Sequence, residues 1–273
     1  MTTSAIATAA RRDETAPATT VGFANVVRSE WTKLHSLRST YLSAAFVILG
    51  TVGLAVFMGL RWARQQGPLD ANFDAANVSL SGFYIAQVIV GAVGVLTITS
   101  EYTTGMIRAT FAAVPQRRAV LAAKALVVAG ATFVLGELAS FLSFGIGQAL
   151  LAPKRAGVSL SDPGALRAVL GAGLYLTAVS LLGFGLGATI RHTAGALSAF
   201  FGILFAPTLI VDLLPTSWRN NVIDYMPANA GSQIITTLNP KNALTPWAGF
   251  GVFCVYAAAA LLAGFALVRA RDA

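Results

Sequence analysis

The sequence predicts an all-α polytopic membrane protein of six transmembrane helices, with an N-terminal amphipathic interface helix and short re-entrant or interfacial helices before the last span. Three observations predict it. Of 273 residues, 56% are hydrophobic and 11% are charged, with a mean hydropathy of +0.69. A soluble domain carries about a quarter charged residues, and at less than half that density the surface could not be covered in water. Second, the charges cluster and leave long gaps. Charge-free runs extend over Ser39–Leu60, Ala75–Ser100, Ala168–Ile190, His192–Val211 and Asn242–Val268, and a sixth over Ala125–Pro153 is interrupted only by Glu137. Each reaches the ~20 residues that cross a hydrocarbon core of about 30 Å. Third, Lys and Arg divide unevenly between the two sides that six spans create. The side of the termini holds Arg11, Arg12, Arg28, Lys33, Arg38, Arg108, Arg117, Arg118, Lys124, Arg191, Arg269 and Arg271. The other holds Arg61, Arg64, Lys154, Arg155, Arg167, Arg219 and Lys241. By the positive-inside rule both termini are expected in the cytoplasm of a multi-pass membrane protein.

Taken in order, residues 1–20 read as a disordered cytoplasmic tail. Arg11-Arg12 is followed by Asp-Glu-Thr-Ala-Pro, where a secretory signal would need an apolar core. Residues 21–38 read as the interface helix. Phe23, Val26, Val27, Trp31, Leu34, Leu37 and Tyr41 recur every three or four positions and share one face, on which Glu30 and Arg38 intrude. Trp31 is expected at headgroup depth, and Glu30, Lys33 and Arg38 could contact a cytosolic partner or the next span. Residues 39–273 form the transmembrane domain, with spans at about 40–60, 79–100, 119–150, 167–190, 193–213 and 245–268. Between the last two, Pro215, Pro227 and Pro240 forbid a seventh full span and favour short helices at the outer leaflet.

The connection between the second and third spans is the most informative stretch. It runs from Glu101 through Tyr102, Gly105 and Arg108 to Pro115, Arg117 and Arg118, and then to Lys124. It is too polar for membrane core and too short for a domain. The chain should turn at Gly105, and Met106–Val114 should form a short helix stopped by Pro115. Arg108 is expected to donate hydrogen bonds to Glu101 across that turn. A short helix held between two spans can pass force from a soluble partner to the membrane.

This stretch resembles the coupling region of type-2 ABC exporter permeases, whose actinobacterial members carry Glu-Tyr-x-x-Gly-x-Ile-Arg, then Pro-x-Arg, then Lys. The likeness extends to Ser29-Glu-Trp-Thr-Lys33 in the interface helix, Arg191-His-Thr-Ala-Gly-Ala in the second cytoplasmic turn, Tyr225-Met-Pro-Ala-Asn-Ala-Gly before the last span, and the ending Arg271-Asp-Ala. The resemblance implies a permease subunit that is not itself an enzyme, paired with a second permease chain, identical or not. It also implies that ATP and Mg bind a separate ATPase subunit, docked on Glu101, Tyr102, Gly105, Arg108, Pro115 and Arg117. The sequence agrees in one respect: no Gly-Lys dipeptide occurs, so the chain has no phosphate loop.

Other candidates come from the residues alone. In the second span Phe83, Gln87, Gly91, Gly94, Ile98 and Glu101 form one stripe. The resemblance, in which the second and fifth spans line a cavity between two permeases, implies that Gln87, Gly91 and Gly94 could line a translocation path; the residues fit packing of spans within one chain as well. Gly183-Phe-Gly-Leu-Gly187 is read as small-residue packing. Glu137, well inside the third span, is either a functional intramembrane acid or a bonded structural one. Use of Glu137 by a proton-coupled secondary transporter, or a role as a non-transporting membrane assembly protein, are the alternatives. Cys254 is the only cysteine, and neither it nor His35 and His192 forms a metal pattern. The charge of +8 is explained by basic residues anchoring to lipid headgroups, without nucleic acid.

Overall fold

The computed structural model describes residues 22–65, 73–154, 156–211, 213, 215, 219, 222–238 and 243–271. The expected tail, residues 1–20, lies outside the described residues. The described chain is all-α. Its helices are α1 (Phe23–Ser36), α2 (Arg38–Arg64), α3 (Ala75–Ser79), α4 (Phe83–Thr103), α5 (Met106–Ala113), α6 (Arg117–Leu151), α7 (Ala165–Ile190), α8 (Thr193–Val211), α9 (Pro227–Ser232) and α10 (Pro246–Arg271). Six of them, α2, α4, α6, α7, α8 and α10, are long and apolar enough to cross a membrane. The molecule is a polytopic, multi-pass membrane protein.

Three boundaries depart from the sequence reading, each for a local reason. The interface helix does not reach residue 38. Leu37 is extended (φ −87°, ψ 121°), so α1 ends at Ser36 and Arg38 opens the first span. The run from Ala75 is not one helix. Asp74 caps α3 through the Asn77 amide, and the chain turns over residues 80–82 before α4 begins. At that turn Gly82 presses on the Thr51 backbone of α2, where a Cβ would lie 2.2 Å from Thr51 Cα. The third span is longer than expected, because α6 continues unbroken from Arg117 to Leu151.

The architecture centres on α7. In its most apolar stretch 72% of the residues are buried, against 22% in α2, α8 and α10. Glycines permit this crowding on both sides. Added Cβ atoms would approach the Ser180 carbonyl oxygen to 2.1 Å from Gly94 and the Gly91 carbonyl oxygen to 2.3 Å from Gly183, so α4 and α7 are in backbone contact. On the opposite flank Gly185 meets the Ala260 backbone of α10. The outer faces of α2, α6, α8 and α10 expose Phe46, Leu49, Val134, Leu209, Val255 and Leu262, as a lipid-facing surface requires.

The two ends of the bundle are built differently. At one end lie α1, α5, the Arg191 turn and the last turns of α10, where the Arg191 guanidinium donates to the Leu267 carbonyl. At the other end, short helices close over the spans. Asp74 accepts hydrogen bonds from the Thr237 amide and hydroxyl, both at 2.7 Å, and from the Leu238 amide. Arg167 donates to the carbonyls of Ile234 and Thr236, and Gln148 bridges Ala75, Ser79 and Val158. The segment before the last span thus forms 3-10 turns and α9, held by Asp74 at the start of α3 and Arg167 of α7.

Candidate coupling site

The site is assembled at the α5 end. Gly105 adopts a left-handed conformation (φ 72°), which reverses the chain between α4 and α5 in one residue. Val114 is extended, and Pro115 separates α5 from α6. Two apolar side chains pin α5 to the spans. Ile107 is buried among Ile98, Leu121, Phe184 and Val268, and Phe111 packs on the cluster of Val26, Val120 and Ala123 that joins α1 to α6.

Behind α5 lies a closed set of four charges contributed by three elements. Glu30 comes from α1, Glu101 from the last turns of α4 and Lys124 from the third turn of α6, and all three side chains are almost completely buried. Lys124 pairs with Glu30 and with Glu101, the latter at 2.8 Å. Lys33, partly exposed, lies 2.7 Å from Glu30 and 3.2 Å from Glu101, and donates to the Thr110 hydroxyl of α5 at 3.4 Å. The set is neutral, so the low-dielectric interior can hold it where an odd charge would be expelled. Burial disfavours the Lys33 ammonium, but the hydrogen bond and charge of Glu30 and the charge of Glu101 outweigh it and hold its pKa above the ordinary 10.5. Since that pKa is raised, the contribution of Lys33 is fully present at neutral pH and is lost only in strong alkali.

This arrangement corrects two expectations. Glu101 does not pair with Arg108. Its carboxylate turns back toward α1 and α6, where two ammonium groups wait, whereas Arg108 is exposed on the far side of α5. Glu30 is likewise not an intruder on the apolar face of α1. Val26, Glu30 and Leu34 are the buried stripe, while Phe23, Trp31 and Leu37 point outward. A buried acid offered two buried or half-buried lysines is better placed inward than a tryptophan that can remain in the interface.

On its outer side α5 borders an open cavity of about 880 Å³ lined by Tyr102, Thr104, Gly105, Arg108, Arg117 and Arg191, among others. The Arg191 guanidinium lies 5.0 Å over the Tyr102 ring and that of Arg117 lies 5.5 Å over Phe111, so aromatic faces support two of the three cations. Among the described residues that line this cavity none is acidic. It can receive a carboxylate-rich surface. Trp31 packs against His35 with the rings tilted by 44° at the exposed side of α1, and Arg38 is exposed at the start of α2.

The remaining candidates do not join this site. The stripe of α4 is the buried face of that helix, turned toward its own chain. Gln87 accepts a hydrogen bond from the Tyr175 hydroxyl of α7, Gly91 lies under the Phe200 ring of α8, and Gly94 lies on α7. Gln87, Gly91 and Gly94 therefore pack α4 against α7 and α8 within the chain, the second of the two readings the sequence left open. Glu137 sits where α6 crosses α7 at Gly136 and Gly173. A Cβ at Gly173 would come within 2.3 Å of its carboxyl, and neither carboxyl oxygen has a hydrogen-bond partner among the described residues.

Thr110, Asp74 and Arg167 are the structural residues that a search for sites in the sequence passes over, and Lys124 enters it only as the end of the coupling stretch, without its acidic partners. For Lys124 a signal exists, because it lies inside an apolar helical run where a lysine needs an acid. Asp74 and Arg167 bond mainly to backbone groups far along the chain, which no spacing reveals. No known protein family and no curated protein matches the sequence.

Proposed function

We propose that this chain is the permease subunit of an ABC-type exporter in a bacterial plasma membrane, with its termini in the cytoplasm and ATP hydrolysed by a separate subunit docked at α5. The observation that carries the reading is the mounting of α5. A helix of two turns is fixed by Ile107 and Phe111 on one side and by the Lys33–Thr110 contact on another, between two spans whose ends are cross-linked by Glu101 and Lys124. A push on α5 is passed to α4 and α6 together and, through Glu30, to α1. The cationic cavity of Arg108, Arg117 and Arg191 gives an acidic partner surface a place to engage.

The chemistry asked of this chain is mechanical, and its polar residues serve it as anchors. Two such subunits around a central pathway, each with its own ATPase, would complete the exporter. Substitution of Arg108 and Arg117 by Glu tests the reading. It should leave insertion intact and abolish ATPase-dependent transport, because it repels the proposed partner without touching the buried charges. Normal transport by that variant would remove the docking role of α5.

A second reading is favoured by one observation, the two carboxyl oxygens of Glu137 inside a span, unpartnered among the described residues. Proton-coupled transport through Glu137 would make activity sensitive to an uncoupler and independent of ATP, which is the reverse of the first reading.

A further inference from the structure

The turn between α7 and α8 is built against a local backbone preference. Three residues among those described have a left-handed backbone: Gly105 (φ 72°), Gly164 (φ 85°) and Arg191 (φ 63°). Glycine adopts this conformation freely, whereas a residue with a Cβ resists it, asparagine least of all. A helix that ends this way ordinarily takes glycine. At the end of α7 the Arg191 amide donates to the Gly187 carbonyl at 2.9 Å, which a glycine amide would do equally well. The arginine is therefore held there for its side chain, and left-handed residues other than glycine gather at functional positions.

That side chain joins several elements. Its guanidinium lies 5.0 Å over the Tyr102 ring of α4, and its Nη2 is 3.5 Å from the Leu267 carbonyl of α10. It also lines the cavity of about 880 Å³, to which α5 and the start of α6 bring Arg108 and Arg117. Residue 191 closes α7, and α8 starts at Thr193. A link between α4 and α10 alone would not need its charge in this cavity. Three cations around one space repel one another in the isolated chain, and an anionic group entering from a partner relieves that repulsion.

We propose that the ATP-hydrolysing subunit docks at two points, α5 and the Arg191 turn, by an acidic segment seated in the cavity between them. This assignment rests on the reading of the chain as a permease with a separate ATPase. The Arg191 turn would carry the partner's motion to α7, α8 and α10, beside the route through α5 to α4, α6 and α1.

Photocrosslinking in native membranes tests it, with a photoreactive amino acid at position 192, where His192 is exposed beside Arg191, and in parallel at position 109 on α5. The same ATP-hydrolysing subunit should be captured from both positions. Capture from position 109 alone overturns the second docking point and leaves docking at α5 intact. Capture from neither overturns both.

Arg191→Asn removes the guanidinium and suits the left-handed backbone, and Arg191→Lys keeps the charge. In the full-length chain, the first should weaken binding of the subunit captured at position 109 about tenfold or more. It should also make that binding less sensitive to salt, while Arg191→Lys recovers part of the affinity. A purely structural link would lower the unfolding temperature without changing the salt dependence. Wild-type affinity and salt dependence in an Arg191→Asn protein that melts as a folded one overturn the proposal. If that variant does not fold, the crosslink at position 192, made with Arg191 in place, decides.

Discussion

Lys124→Met is the perturbation that reads the charge cluster most sharply. The side chain is 4% exposed and binds both Glu30 and Glu101 from the buried side, where Lys33 binds them from the partly exposed one. Its removal leaves two buried carboxylates sharing the half-exposed Lys33. Breaking a buried pair by deleting one partner costs about 3–5 kcal/mol, because the remaining charge is stranded. Lys33→Met should cost far less, since that side chain is 32% exposed and water can replace it. Arg108→Met, with no ion pair to lose among the described residues, should be near neutral in stability. Unfolding by a denaturing detergent, followed by tryptophan fluorescence, ranks the three variants. The double variant Lys124→Met with Glu101→Gln should recover part of the loss. By contrast, exchanging Glu101 and Arg108 for Arg and Glu should recover nothing, because those side chains do not meet. If Arg108→Met destabilised as much as Lys124→Met, or the Glu101–Arg108 exchange restored stability, the placement of Glu101 would be wrong.

Other expectations follow from the same geometry. Gly94→Ala places a Cβ about where the Ser180 carbonyl oxygen sits, and should destabilise the protein by about 1–3 kcal/mol or more in the same unfolding assay. Gly130→Ala, on an open part of α6 with nothing within 4 Å, should be neutral or slightly stabilising and serves as its control. Asp74→Ala removes the acceptor for Thr237 and Leu238; protease cleavage within residues 222–238 should rise sharply, with little effect on labels placed near α5. In a Cys254→Ala background, Ser161→Cys should react with an impermeant thiol reagent from outside intact cells, and Gln116→Cys only after the membrane is opened. The opposite pattern would invert the proposed orientation.

What the sequence revealed and what it concealed divide along a physical line. The spans were readable because a hydrocarbon core demands length and apolarity from each helix separately, and Ser39–Leu60 or Ala168–Ile190 meet that demand locally. The buried stripe of α4 was readable for a similar reason, since Phe83 through Glu101 repeat at helical spacing. What faces that stripe was not readable, because Gly91 and Gly94 fit an intersubunit path and an α7 contact equally well. The turn at Gly105 and the stop at Pro115 are local chemistry and were visible. The partner of Glu101 was not. The nearest cation in sequence is Arg108, yet the side chain takes Lys33, 68 positions earlier, and Lys124, 23 later. Burial selects among partners only after the helices are packed. Glu30 gave a warning that its position on an apolar face made clear: a charge there is either exposed at a cost or paired inside, and here it is paired.

The claim that α5 is the docking point for an ATPase is tested most directly by site-specific photocrosslinking. A photoreactive amino acid at position 109, where Ala109 is exposed on α5, is activated in native membranes, and the crosslinked partner is identified by mass spectrometry. A residue such as Ser161, exposed at the opposite end, serves as the control. The account predicts one dominant partner at position 109, an ATP-hydrolysing subunit, with no such product from position 161. Crosslinks at position 109 only to lipid or to proteins without nucleotide-binding motifs, in cells where transport is active, would contradict it.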